Sequence, residues 1–380
     1  MISINIIRII PKTLFKILLA SICFFLFKGL YANPEKDPEK TKPPLYIGAK
    51  LHYGFIIPHA EELKSVSESN IWGFQVDISR LNISSRSWST CNCYSRLGLS
   101  FDFMDYRNPD VLGHSYNLAY FFEPYFNYKG PSRFSLRVGM GLSYLDQVYD
   151  EFSNPENLFF SSKISGLLFL NLSYNYLIKD RYQLNFSLNY NHISNAGAKM
   201  PNKGMNFPTA SVGLDYIFRP VKLEPQEKSV GLKDKKFLGY ARVFWSVRSV
   251  EPDSLNPRKD KLMIGVEGGI IKGLSNINGL LGGIEFSYDG SYKEMSDRME
   301  ESYAPYVLSV HLGHAFVIGR ITFTQQMAYY AYKPFPSTSK SFFQRYGIYY
   351  RIGKMVNLGF SLKAHGHVAE HMDLRLGMEF

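Results

Sequence analysis

The chain has 380 residues, a formal charge of +10, only 3 cysteines, and 16% aromatic residues in the form of 27 Tyr, 29 Phe and 3 Trp. Its basic excess is modest and spread out, which argues against a nucleic-acid binder needing a clustered basic face and suits anionic lipid head groups instead. Nothing after residue 33 approaches the run of about 18 apolar residues that a spanning helix needs.

Residues 1–32 read as a secretory signal: Arg8, Lys12 and Lys16 precede the apolar run Ile17 to Phe27, with a cleavage site after Ala32. An uncleaved anchor is the alternative. A lipoprotein reading of Cys23 is disfavoured by the bulky Ile22 before it. Removing four basic and no acidic residues lowers the formal charge from +10 to +6. Residues 33–44, rich in Pro, Lys and Glu, form a flexible periplasmic lead-in.

Strand-like alternation then begins, with strands expected near 45–56, 72–82, 94–104, 115–127, 133–145, 164–177, 181–194 and 208–218. Short connections follow the fourth and sixth strands, and long ones (57–71, 105–114, 146–163, 195–207) follow the odd strands. Bacterial barrels keep short turns in the periplasm and long loops outside. The seventh strand therefore ends near the outer leaflet. Cys91 and Cys93 lie one residue apart; a bridge between them looks strained, and they lack companion ligands for zinc, so they read as a turn detail.

Residues 221–236 form a linker, and strands follow near 237–249, 261–271, 280–289, 305–316, 319–332, 342–352, 354–365 and 370–380. The fold class is all-β, an antiparallel transmembrane β-barrel of about sixteen strands, built as a first half over 45–220 and a second half over 237–380. The last strand alternates Leu374, Leu376, Met378 and Phe380 against polar residues, a terminal aromatic pattern that resembles an outer-membrane assembly signal. Val212, Leu214, Tyr216 and Phe218 repeat that ending, so closure after eight strands competes with one large barrel, which is slightly favoured.

The seventh strand carries the chemistry. Its apolar face runs Tyr182, Leu184, Phe186, Leu188, Tyr190 and ends in His192 and Ser194, all sharing one side because strand side chains repeat every two residues. Gln183, Asn185, Ser187, Asn189 and Asn191 face the other way. A serine becomes nucleophilic beside a base, and the base needs a third group to orient it. His192 can be the base for Ser194, while Asn206 has the parity to emerge beside it on the returning strand. Backbone N–H groups from Asn195 to Gly197, or the amide of Asn202, can meet a developing oxyanion. Elsewhere, His365, His367, Glu370 and His371 look metal-like but read as a polar turn. His311 and His314 occupy opposite faces of one strand, and Asp297 to Glu301 reads as a solvated outer loop that can bridge lipopolysaccharide phosphates through divalent cations.

The stretch His192-Ile193-Ser194-Asn195-Ala196-Gly197, followed by Pro201-Asn202-Lys203-Gly204-Met205-Asn206, resembles the His-x-Ser-Asn signature of the outer-membrane lipid A 3-O-deacylases, the PagL family. The full length is similar to the longer Bacteroidetes relatives named acyloxyacyl hydrolases. The resemblance covers 160–218 well and 45–160 loosely, including Asn154 to Asn157 and Asn108 to Gly113; the half after 237 matches only the longer relatives.

This resemblance implies an esterase of the outer membrane that removes an ester-linked acyl chain from lipid A, or lipopolysaccharide, without cofactor or metal. By it, Ser194 would be the nucleophile and His192 the base, with Asn195 and Asn202 at the oxyanion hole. The family's third member is a glutamate twelve residues after the serine, where this chain has Asn206. Three readings follow: Asn206 orients the histidine, another acid such as Glu123 or Asp215 does so, or activity is weak or lost. Expected partners are lipid A and outer-membrane lipids, with no nucleic acid; a homodimer stays open. The competing reading is a non-catalytic porin or structural barrel.

Overall fold

The computed structural model describes residues 42–195, 199–227, 231–234, 237–250, 252–334, 340–366 and 368–380. The expected signal, most of the lead-in, Ala196, Gly197 and His367 lie outside the described residues.

Two compact units divide the chain, one holding the first eight strands and one the last eight. The first contains β1 (Leu45–Phe55), β2 (Asn70–Asn82), β3 (Ser95–Asp105), β4 (His114–Pro124), β5 (Ser132–Leu145), β6 (Ile164–Ile178), β7 (Tyr182–Ser194) and β8 (Met205–Phe218). The second contains β9 (Leu238–Val250), β10 (Lys259–Gly273), β11 (Asn278–Asp289), β12 (Tyr306–Ile318), β13 (Ile321–Tyr332), β14 (Phe342–Ile352), β15 (Val356–His365) and β16 (Val368–Glu379). Every expected strand is present.

The closure differs from the single barrel favoured by the sequence: the chain closes twice, into two antiparallel barrels of eight strands each. In the first, β8 returns to β1 with Leu45 opposite Phe218 and Tyr53 opposite Ala210. That pairing consumes both free edges, so no open edge remains onto which β9 could add. In the second, β16 pairs with β9, and Phe380 and Gly239 exchange backbone hydrogen bonds of 2.9 and 2.7 Å. The repeated aromatic ending at Phe218 is therefore a closing strand in its own right.

Alternation sorts the side chains. Along β7 the outward Leu188 is 67% exposed, whereas the inward Gln183 is fully buried. Aliphatic and aromatic side chains cover the outside of each barrel, as lipid-facing walls require.

The interior of the first barrel is filled with paired charges. Arg137 reaches Asp77 at 2.6 Å and Glu123 at 2.9 Å, Arg96 reaches Asp215 at 2.7 Å, and Lys50 lies 3.4 Å from Asp77. In the second barrel Arg375 binds Glu267 at 2.7 Å and Glu285 at 2.9 Å, and Arg345 binds Asp373 at 2.6 Å. Buried ions persist when each finds opposite charge and hydrogen bonds. These ion-paired side chains are buried and fill the interior of each barrel at the levels they occupy.

Two short helices depart from the sequence expectation. α1 (Ser85–Cys91) lies between β2 and β3, and its last residue Cys91, like Cys93 just beyond it, is disulfide-bonded instead of being a mere turn detail. Asn92 between them has φ 53°, a left-handed turn that reverses the chain and brings its neighbours together. α2 (Gly290–Arg298) occupies the start of the supposed acidic outer loop. Asp289 caps it by accepting from the Ser291 N–H at 2.9 Å. The Glu294 carboxylate lies 2.8 Å from Lys259, 2.9 Å from Lys261 and 3.1 Å from Arg298.

Hydrogen bonds from Lys259, and next from Lys261, hold the Glu294 carboxyl down at about 2, below its ordinary 4.5. A depressed carboxylate contributes stability that is full above its unfolded pKa and is lost as pH falls through the folded one. Glu294→Gln is therefore expected to lower the melting temperature at neutral pH. Its difference from wild type should shrink as pH falls from about 4.5 towards 2; a difference independent of pH would mean that the ion pairs contribute nothing.

Candidate active site

The long-loop end of the first barrel carries a hydrophobic cap in which Leu63, Tyr106, Leu112, Phe159, Phe160, Ile193 and Phe207 are buried together. Loop asparagines stitch it. Asn154 Nδ2 donates to the Val111 carbonyl at 3.0 Å and Asn157 Nδ2 to the same carbonyl at 2.7 Å. The loop after β7 is anchored by backbone bonds from Lys203 N to Leu158 O at 3.0 Å and from Gly204 N to Phe159 O at 3.2 Å. Ile57 N donates to Asn206 O at 2.9 Å, tying the loop after β1 to the start of β8.

His192 and Asn206 are direct register partners across β7 and β8. Such opposed residues bring their Cβ atoms within about 5 Å, and here His192 Nδ1 meets Asn206 Oδ1 at 2.7 Å. A carboxamide oxygen only accepts, so this contact puts the ring proton on Nδ1 and leaves the Nε2 lone pair available as a base. Asn202 Nδ2 donates to Ser194 Oγ at 2.9 Å, and Asn202 Oδ1 accepts from the Asn195 N–H at 3.2 Å. Asn195 turns its own side chain into the loop, donating to Ser161 Oγ at 3.2 Å and to Lys199 O at 2.9 Å.

Gly204 shows how closely the elements converge. A Cβ there would lie 3.1 Å from His192 Cε1 and 3.4 Å from Ser194 Cβ, so the imidazole and the serine flank one point. Its φ of +69° is one that side chains of L-residues rarely adopt. Sequence reasoning passed over this glycine and over His59, whose Nε2 lies 3.1 Å from the Lys203 carbonyl. Lys203 in turn pairs with Glu62 at 2.7 Å. No local motif marks His59, because its place depends on the loop after β1 folding over a residue 144 positions later.

The alternative acids are placed elsewhere. Asp215 is buried in the barrel against Arg96, and Glu123 against Arg137 and Ser135. In the second barrel His365 meets Glu370 at 2.9 Å, but Arg248 and Lys363 also bind that carboxylate, at 2.9 and 3.2 Å, which disfavours a cation there. His371 lies 3.5 Å from Glu370. His311 points inward to Tyr240 Oη at 2.9 Å, while His314 is outward against Phe316.

The family model of lipid A 3-O-deacylase (PagL) matches residues 79–215, and that of the acyloxyacyl hydrolase C-terminal domain matches residues 238–380. Among solved structures, the chain is similar to Neisserial surface protein A at 13% identity and a TM-score of 0.33, covering 47% of this chain and 100% of that one. It is similar to the outer membrane enzyme PagL at 13% identity and a TM-score of 0.31, covering 44% and 97%. No curated protein matches the chain. The chain is an outer-membrane β-barrel protein and belongs to the lipid A 3-O-deacylase (PagL) family of ester hydrolases, with an acyloxyacyl hydrolase C-terminal domain as its second barrel.

Proposed function

We propose that the first barrel is a serine esterase that removes an ester-linked acyl chain from lipid A at the outer leaflet. The reading rests on one observation above others: His192, held by Asn206 at 2.7 Å, shares the lipid-facing side of β7 with Ser194, whose Oγ accepts from Asn202 at 2.9 Å. Ser194 Oγ attacks the ester carbonyl while His192 Nε2 takes its proton. The carbonyl oxygen becomes an oxyanion near the Asn202 amide, which the Asn195 N–H holds in place through Asn202 Oδ1. Collapse breaks the acyl–oxygen bond, His192 returns the proton to the departing sugar alkoxide, and water repeats the sequence to free the fatty acid. No step calls for a metal or cofactor.

The test is the acyl pattern of lipid A from Gram-negative cells producing this protein, read by mass spectrometry. A species lighter by one ester-linked chain is expected. An unchanged pattern, with the protein heat-modifiable on gels and therefore folded, would refute the reading.

Gly204→Ala probes the same geometry. The added Cβ costs about 1 kcal/mol in a left-handed conformation and, at 3.1 Å from His192 Cε1, pushes the imidazole by a few tenths of an ångström, so acyl release is expected to fall about tenfold, short of the roughly 10²-fold that a shift of about 1 Å costs. A rate equal to wild type would mean that the ring does not need its present position.

A further inference from the structure

At the opposite, short-turn end of the first barrel, one buried cation stands apart. Arg133, the second residue of β5, points inward and is 7% exposed. The interior cations Arg96, Arg137 and Lys50 each have a carboxylate within 4 Å. Arg133 has none among the described residues. Its guanidinium carbon lies 5.9 Å from the centre of the Tyr125 ring, and its buried Nε lacks a hydrogen-bond acceptor. A guanidinium taken from water without a counter-charge is costly.

This side chain lines a cavity of about 720 Å³ together with Tyr46, Tyr128 and Leu177. The segment 220–225 forms one of its walls. That segment is fastened by Tyr94 Oη, which donates to Glu224 O at 2.6 Å, and by Gln226 Nε2, which donates to Ile83 O at 3.1 Å. Lys129 adds positive charge to the lining. Of the two carboxylates there, Glu224 is engaged by Lys222 at 3.4 Å, and Asp180 makes no ion pair with Arg133 among the described residues.

We infer that this mouth of the barrel binds an anion of the phosphate class, its oxygens received by the planar fork of Arg133. That fork offers up to five N–H donors and matches phosphate oxygens two at a time. The tyrosines beside it supply hydroxyl donors and apolar faces for whatever the phosphate is attached to. This site lies at the other end of the barrel from Ser194 and does not depend on the esterase reading.

Calorimetric titration of inorganic phosphate into the full chain in a non-ionic detergent at low ionic strength is expected to show one saturable site. Arg133→Gln should weaken it about tenfold or more, as loss of a charge-assisted bidentate contact does, and Arg133→Lys should fall between. A measurement on the unaltered protein guards against a variant that fails to fold: phosphate should protect Arg133 from an arginine-directed dicarbonyl reagent, read at the level of the modified peptide. In phosphatidylglycerol nanodiscs, protection without added phosphate would identify a lipid head group as the source, and protection only with phosphate a soluble anion. Absence of both saturable binding and Arg133 protection in either setting, or binding unchanged in a folded Arg133→Gln, would overturn the inference.

Discussion

Replacing Ser194 with alanine is expected to reduce acyl release by about 10³- to 10⁶-fold, because activated-serine hydrolases lose their rate when the nucleophile is removed and keep only what the surrounding site contributes. The change deletes one oxygen. It forfeits the neutral hydrogen bond from Asn202 Nδ2, 2.9 Å in length, which is worth about 1 kcal/mol, while the β7 ladder and the cap around Ile193 stay intact. Folded protein, judged by heat-modifiable migration, should therefore be recovered at near wild-type yield. His192→Ala should cost a similar factor, and the double variant should be no slower than either single one, because nucleophile and base act as a unit. Independent, additive losses would mean that the two do not cooperate. Full activity in Ser194→Ala would assign the nucleophile elsewhere.

How much of this was readable beforehand follows from the range of each interaction. Strand positions and facing are local, written in the period-two alternation of segments such as Tyr182 to Ser194, and all sixteen strands emerge from it. The parity that brings Asn206 outward beside His192 is likewise local, since one loop joins their strands. Closure is not. Whether Phe218 seals against Leu45 or continues into a larger sheet is a choice between edges far apart in sequence, and periodicity is the same for both. The helix over 290–298 was hidden because its residues carry a mixed charge pattern, and its clamp comes from Lys259 and Lys261, some thirty residues earlier. The loop partners Gly204 and His59, and the unpaired Arg133, depend on how loops and inward side chains meet in space. A sequence pattern can say that Arg133 faces the interior; only the fold says that no carboxylate among the described residues pairs with it there.

The departure at Asn206 makes the second large prediction. Asn206→Glu is expected to raise kcat by about tenfold or somewhat more, because a hydrogen bond to a charged group is worth about 1.5–3 kcal/mol against about 1 kcal/mol for a neutral one. Asn206 Oδ1 already holds the imidazole at 2.7 Å, so orientation is in place and what the amide lacks is charge. A carboxylate there would form a charge-assisted bond that strengthens as His192 becomes imidazolium. Because that gain appears only when the proton has moved, it should be expressed in kcat with KM nearly unchanged. The extra methylene of glutamate opposes the full gain; Asn206→Asp removes that concern, keeping the shape and adding only the charge. Asn206→Leu, which removes both orientation and charge, should fall below wild type. If the glutamate and aspartate variants are no faster than wild type and the leucine variant no slower, Asn206 is a neighbour of the histidine and not its orienter.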